Sequence, residues 1–171
     1  MDSKLATLIE TIELGYFEIG EAFKGLQDEN VWKRPAEGLL SIGEIAGHIA
    51  FWEANKFAGE GSDGNFKPDV SKCKIQSPLV DVRFDYYPHN LPGEIHLDMT
   101  AEQVHSELVR VHKEAMASLE ERNPGPDETV TNYPKPCTYA EFLKYATFHI
   151  AYHTGQIYSA RHLLGETPPD N

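Results

Sequence analysis

Two histidines spaced four residues apart are the clearest chemical signal in the sequence. His149 and His153 lie in the segment 148–156, whose pattern is helical. Residues four apart share one face of a helix, about 6 Å from each other along the axis, so both imidazoles can reach one metal ion. Two ligands hold a metal weakly, and His48, within the segment 41–52, is the best candidate for a third. Three neutral imidazoles would leave coordination positions open for water or substrate.

The same pattern has a plainer interpretation. With eight histidines in 171 residues, chance pairs are common, and each of the three could instead be a core histidine satisfied by hydrogen bonds. Two observations support a metal: the pair is predicted to lie mid-helix among apolar residues, where two imidazoles need partners, and metal sites in bundles are usually built from facing helices. From the residues alone, both interpretations stay open. His105 and His112 are seven residues apart, too far to bind one ion together, and His112 is expected to face the pocket. Exposed or partly buried side chains are predicted for the rest: His89, His96 and His162.

Apolar periodicity predicts the helices that must position these histidines. In the first helix the apolar residues recur in steps of four and three from Leu5 to Leu26, which is typical of a helix packed lengthwise on others. The predicted helices span residues 3–27, 41–58, 100–122 and 138–164.

Three of these helices carry the same start signal. A Ser or Thr followed three residues later by Glu or Gln is a capping box, which satisfies free backbone N–H groups at a helix start. Gly165 ends the last helix. The three boxes are Ser41/Glu44, Thr100/Gln103 and Thr138/Glu141.

The connection over residues 59–98 has no clear periodicity, and its prolines rule out a long helix. Residues 79–84 fit either a short strand or a compact loop. We expect the aromatic residues of this connection, Phe66, Phe84, Tyr86 and Tyr87, to pack over the mouth of the bundle. Together the patterns predict one all-α domain over residues 1–171, a four-helix bundle with a long irregular connection between its second and third helices.

Composition narrows the class of protein. The formal net charge of −12 argues against a nucleic-acid partner, because phosphate binding needs a basic face. No segment approaches the ~20 apolar residues of a membrane span. Two cysteines are too few for a disulfide framework, and the N-terminal residues do not look like a signal peptide. We therefore expect a cytoplasmic protein that contacts neither nucleic acid nor membrane.

Two segments resemble a known family. Residues 41–50, followed by Trp52 and Glu53, resemble the second helix of DinB-like (YfiT-like) proteins. The last helix resembles that family's motif of a histidine pair followed by Arg-Gly-Gln, with Thr154 in place of the arginine. The resemblance implies an up-down-down-up four-helix bundle, commonly a homodimer. It also implies that His48, His149 and His153 bind a divalent metal such as zinc or nickel.

Characterised members of that family include enzymes that depend on low-molecular-weight thiols. We therefore expect a metal-dependent transferase that uses such a thiol as co-substrate and acts on a small molecule. Two alternatives stay open, a metal-dependent hydrolase and a non-catalytic bundle that binds small molecules or a partner.

No catalytic residue is assigned from the sequence, but five residues are expected around the metal. Glu44 and Gln156 lie within one turn of a predicted ligand and are candidates to hydrogen-bond one, although the capping box alone accounts for Glu44 and a helix-to-helix bond would account for Gln156. Tyr145, Tyr152 and His112 are candidates to line the pocket.

Overall fold

The chain forms five α-helices in a computed structural model, which describes residues 1–59, 73–86, 93–130 and 135–169. Within these ranges there is no β-strand, only isolated bridges, so the prediction of an all-helical protein is confirmed. The helices are α1 (Ser3–Phe23), α2 (Asp28–Val31), α3 (Ile42–Phe57), α4 (Ala101–Arg122) and α5 (Tyr139–Leu163).

The three predicted capping boxes are all present. At Ser41, Thr100 and Thr138 the hydroxyl accepts a hydrogen bond from the backbone N–H three residues later. The Glu or Gln at that later position accepts one in return from the N–H of the cap residue. These caps place the starts of α3, α4 and α5 within one residue of the prediction, because the signal is local.

The first helix is shorter than predicted. It ends at Phe23 rather than near residue 27, because the chain turns at Gly25, whose φ of +72° lies in the left-handed region. The buried guanidinium of Arg161 donates to the carbonyls of Ala22 and Lys24, at 2.8 and 3.0 Å, and so satisfies acceptors that the helix end leaves free. The predicted connection 28–40 contains the single turn α2.

The four long helices enclose one apolar core. Helix α1 packs against α4 and α5, and α3 packs against the same two helices. Helices α3 and α5 run antiparallel, since Phe57 contacts Phe142 at one end and His48 contacts His153 further along. All of α3 is buried except a stripe at a spacing of four, formed by His48, Trp52 and Lys56. Two residues of this stripe, His48 and Trp52, contact the histidine pair of α5.

One described part of the connection between α3 and α4, Val82–Phe84, packs against α3. Its residues 79–84 do not form a strand; they end in a 3-10 turn, Val82–Phe84. The ring of Phe84 packs so closely on Gly47 that an added Cβ there would lie 2.5 Å from it. Phe66 and Tyr87, predicted to pack over the same end, lie outside the described residues. None of the helices that the structure describes has both the length and the apolar character needed to cross a membrane.

Candidate metal centre

The three histidines predicted as ligands meet between α3 and α5. Nε2 of His149 lies 3.2 Å from Nε2 of His48 and 3.1 Å from Nε2 of His153. One nitrogen from each ring falls within 4.8 Å of the other two. The spacing of four on α5 provides two of these atoms, and the contact between the antiparallel helices brings in the third.

Two of the rings are oriented by hydrogen bonds from their other nitrogen. Nδ1 of His48 lies 3.0 Å from the backbone carbonyl of Phe84. Nδ1 of His153 lies 2.7 Å from the side-chain oxygen of Gln156. A carbonyl oxygen can only accept, so each Nδ1 carries the proton and each Nε2 presents a lone pair to the centre. This is the arrangement that holds a metal-binding histidine in its neutral tautomer.

The third ring is held by packing. The ring of His149 stacks on Trp52, with the ring centroids 4.4 Å apart and an interplanar angle of 27°. Its Nδ1 is buried and has no hydrogen-bond partner among the described residues. His149 can donate a hydrogen bond from Nε2 to only one of its two neighbours. In the absence of a cation, the cluster therefore leaves buried nitrogen lone pairs unsatisfied.

The environment keeps the three imidazoles neutral. Burial, together with repulsion from His153 and His48, lowers the pKa of His149 to about 2. Burial and then His48 lower the pKa of His153 to about 4, although its hydrogen bond to Gln156 acts in the opposite direction. Burial also lowers the pKa of His48, partly offset by the Phe84 carbonyl. The nitrogen lone pairs of the cluster are therefore not readily protonated near neutral pH, and protons compete little with a metal ion for them.

The donor set fits a divalent transition metal. Two nitrogens bound at the Zn–N distance of ~2.0–2.1 Å in tetrahedral geometry are about 3.4 Å apart, close to the two contacts of 3.1 and 3.2 Å. Neutral imidazoles suit zinc, nickel and related ions, whereas magnesium and calcium prefer oxygen ligands. The residues that would hold the ion are His48, His149 and His153.

Three of the residues predicted around the centre contact the pair on α5. Gln156 orients His153, and its amide nitrogen lies 3.3 Å from the hydroxyl of Tyr152. The ring of Tyr152 packs edge-on against His153 at 5.0 Å, and the ring of Tyr145 lies 6.2 Å from His149. Both tyrosines are exposed, so they border the centre on its solvent side.

The carboxylate of Glu44 is used elsewhere. It is fully buried and accepts hydrogen bonds from the guanidinium of Arg34, at 2.9 Å, and from the backbone N–H groups of Ser41 and Ile95. Burial opposes ionisation, but these donors outweigh it and keep the pKa of Glu44 below its usual value. Its hydrogen bonds thus go to the helix cap and to Arg34 rather than to His48.

His112 belongs to a second cluster, on another side of α3. Its Nδ1 lies 3.1 Å from a carboxylate oxygen of Glu53, and its Nε2 lies 3.1 Å from one of Glu13. The ring stacks on Tyr16, whose hydroxyl donates to Glu53 at 2.6 Å. The structure therefore places His112 with α1 and α3, in contact with two carboxylates, and not with the three-histidine centre.

The sequence analysis did not identify two contributors to the centre. The carbonyl of Phe84 lies in a connection, and no local pattern ties it to α3. Trp52 entered only through the family resemblance, although its position four residues after His48 predicts that the two share a face of the helix. The ring of Tyr86, another aromatic residue of the connection, lies 5.5 Å from that of His48, as the prediction of aromatic cover implied.

Of three comparisons with known proteins, one gives a match to the chain. No curated protein and no solved structure gives a significant match to the chain. A family model does match, over residues 18–157, and this range contains all three histidines, the whole of α3 and α4, most of α5 and the last six residues of α1. The chain belongs to the DinB superfamily.

Proposed function

We propose that this protein is a metal-dependent enzyme whose ion is held by His48, His149 and His153. The observation that carries the proposal is the convergence of three Nε2 atoms from two helices, two of them with their Nδ1 protons already engaged by carbonyl oxygens. Three protein ligands are typical of catalytic rather than structural zinc sites, because they leave a position open.

Some residues around the proposed ion site orient the histidine rings, and others limit the access of water. The Phe84 carbonyl and Gln156 hold two rings in the tautomer that can bind a cation. Trp52 covers one side of His149 and limits the approach of water there. When bound, a zinc or nickel ion would act as a Lewis acid that favours the deprotonated form of a thiol or a water molecule.

Of the reactions open to such a site, we favour transfer involving a low-molecular-weight thiol. The support is membership of the DinB superfamily, together with the resemblance of both histidine segments to DinB-like proteins, whose characterised members include thiol-dependent enzymes. In this proposal the thiolate sulfur of the co-substrate forms a bond to an electrophilic carbon of a small molecule, the bond from that carbon to its leaving group breaks with its electron pair, and the thiol proton passes to water. Hydrolysis by an activated water is the competing outcome of the test below.

Metal content is the first test. We expect purified protein, loaded with zinc or nickel and then desalted, to retain about one equivalent of metal per chain, and His149→Ala to retain almost none. His162→Ala is the matched control, because His162 is an exposed histidine on the same helix and should leave the stoichiometry unchanged. Equal metal retention by His149→Ala and the unaltered protein would overturn the proposed centre.

The reaction class is tested with the loaded protein. We expect incubation with glutathione or bacillithiol and a panel of reactive electrophiles to yield thiol conjugates at a rate that chelation abolishes. Metal-dependent cleavage of ester or amide substrates without conjugate formation would favour a hydrolase. If metal-loaded protein forms neither product, that result would favour a binding protein.

Two further features are proposed on the same basis. We propose that the long helices form the up-down-down-up four-helix bundle of DinB-like proteins, which the observed helix pairs support. We also propose a homodimer, because several large apolar side chains on α1 and α5 are exposed, among them Leu14, Phe17 and Phe148. Light scattering tests the dimer, and a monomer at micromolar concentration would refute it.

A further inference from the structure

A cleft lies beside the three-histidine centre, and none of the three histidines lines it. Its volume is about 280 Å³. One wall is the loop at residues 35–40, and the other consists of α5 residues from Gln156 to Leu163, with Ile45 of α3 contributing. The lining is mainly apolar, and none of the described residues that line it carries a charge.

The cleft and the metal centre share their supporting helices. Ile45 lies three residues before His48 on α3, and Gln156 lies three residues after His153 on α5. Because the two helices run antiparallel, both steps lead in the same direction, and three residues advance about 4.5 Å along a helix. The cleft is therefore the next layer of the same helix pair, one turn beyond the histidines.

Gln156 joins the two. Its side-chain oxygen accepts from Nδ1 of His153, and the residue also lines the cleft. The other polar lining residue, Ser159, donates its hydroxyl to the carbonyl of Gly155 within α5, at 2.8 Å. Both polar groups are thus already engaged, and what the cleft presents to a ligand is hydrocarbon surface from residues such as Leu40 and Ala160.

Size and chemistry together select the occupant. A volume of about 280 Å³ is at the small end of ligand pockets and suits part of a small molecule rather than a polypeptide segment. The absence of charged lining residues among those described disfavours an ionic group.

From this continuity we infer that the cleft binds the neutral apolar group of a small-molecule ligand whose polar end reaches the three-histidine centre. The inference rests on the proposed metal site and adds to it a preference for substrates with an aliphatic or aromatic arm of a few carbons.

The test uses zinc-loaded protein and two hydroxamates as metal-binding probes. Acetohydroxamate and hexanohydroxamate have the same head group, and the second carries four additional methylenes. A fully buried methylene strengthens binding about fourfold. Because the cleft is partly open, we expect hexanohydroxamate to bind about tenfold more tightly by titration calorimetry.

Substitutions on α5 locate the effect. We expect Ser159→Phe to fill the cleft and abolish the preference for the longer probe, with the affinity for acetohydroxamate unchanged. Ser159→Ala should keep the preference. Ala151→Phe is the matched control, because it adds the same ring at an exposed position of α5 that does not line the cleft. Circular dichroism melting checks that each variant is folded.

The outcomes separate this inference from the proposed function. Zinc binding with equal affinity for the two probes, or a preference that survives Ser159→Phe, would overturn the cleft inference and leave the metal site intact. Failure to bind zinc would overturn the metal site, and with it the inference. If Ser159→Phe loses the preference for the longer probe while Ser159→Ala and Ala151→Phe keep it, the result supports both the metal site and the cleft inference.

Discussion

The protein has two clusters that contain buried histidine side chains at α3, one with three histidines and one with a single histidine, and they differ in the charged partners of the imidazoles. His149 is 6% exposed and His112 is 1% exposed, so burial does not distinguish the two. His149 meets two further imidazoles and an aromatic ring. His112 meets the carboxylates of Glu13 and Glu53.

The partners set the protonation state. Burial works against a charge on His112, but the attraction of Glu53 and then Glu13 outweighs it and raises the pKa above its ordinary value. Since a carboxylate accepts at each ring nitrogen, the geometry is that of an imidazolium. The other cluster has no anion within hydrogen-bond distance of its ring nitrogens among the described residues, so burial lowers its pKa values unopposed by a carboxylate and its lone pairs stay available. One cluster pairs its imidazole with carboxylates, whereas the other holds three neutral imidazoles that could bind a cation.

The largest expected effect comes from making the same substitution in each cluster. Among the described residues, His112→Leu would leave the buried Glu53 carboxylate with the Tyr16 hydroxyl as its one donor, and we expect it to lower the free energy of unfolding by about 3–5 kcal/mol. His149→Leu in metal-free protein replaces a poorly satisfied imidazole with an apolar group of similar size. We expect that change to stay within about 1 kcal/mol. Urea denaturation at pH 7 with a chelator measures both, and equal losses would show that the clusters do not differ in this way.

The pH dependence of stability should separate the clusters by sign. The lowered pKa values of His149 and His153 mean that unfolding takes up protons below about pH 6.5, the ordinary histidine value, so their contribution falls as the pH drops from there towards 4. The raised pKa of His112 has the opposite consequence. Its contribution is complete below about pH 6.5 and is lost as the pH rises through the folded-state value.

Urea denaturation between pH 5 and 9, with a chelator present to keep the protein metal-free, tests these two opposite pH dependences. We expect His149→Leu to lose less stability than the unaltered protein as the pH falls below about 6.5. We expect His112→Leu to lose less stability than the unaltered protein as the pH rises. Curves of the same shape for both variants would contradict the assignment of charge.

A smaller effect is expected from a glycine that supports only the metal cluster. In Gly47→Ala the new methyl would lie 2.5 Å from the Phe84 ring and displace the segment whose carbonyl orients His48. We expect a loss of about 1–3 kcal/mol in stability and about a tenfold weaker affinity for zinc. Calorimetric zinc titration and urea denaturation provide the two measurements.

Gly155→Ala is the control for that variant. An added Cβ at Gly155 has nothing within 4 Å, so we expect a gain of up to ~1 kcal/mol from helix propensity and no change in zinc affinity. Unchanged zinc affinity in Gly47→Ala, despite lower stability, would show that the Phe84 carbonyl does not position His48.

How far the sequence predicted the fold depended on the range of each signal. The capping boxes at Ser41, Thr100 and Thr138 act over three residues, and all were identified. The histidine pair on α5 follows from helical periodicity, and His48 was added from its apolar helix and from the family resemblance. The end of α1 was misplaced because the apolar pattern continues to Leu26 although the backbone reverses at Gly25.

The second cluster was not predictable in the same way. Tyr16 and Glu53 are 37 residues apart, Glu53 and His112 are 59 apart, and Glu13 and His112 are 99 apart. Each residue alone resembles a surface or core residue of its helix. Only the packing of three helices shows that these residues are hydrogen-bonded to one another.

The hydrogen bond that orients His48 is donated by its Nδ1 and accepted by a backbone carbonyl, not by a side chain. Every amino acid carries that group, so the bond is indifferent to which residue occupies position 84 and depends only on the path of the main chain. Drift in the sequence of this connection can therefore preserve the tautomer of His48, provided that the new side chain still fits over Gly47. Among relatives, we expect this contact to be recognisable by its geometry where no shared residue marks it.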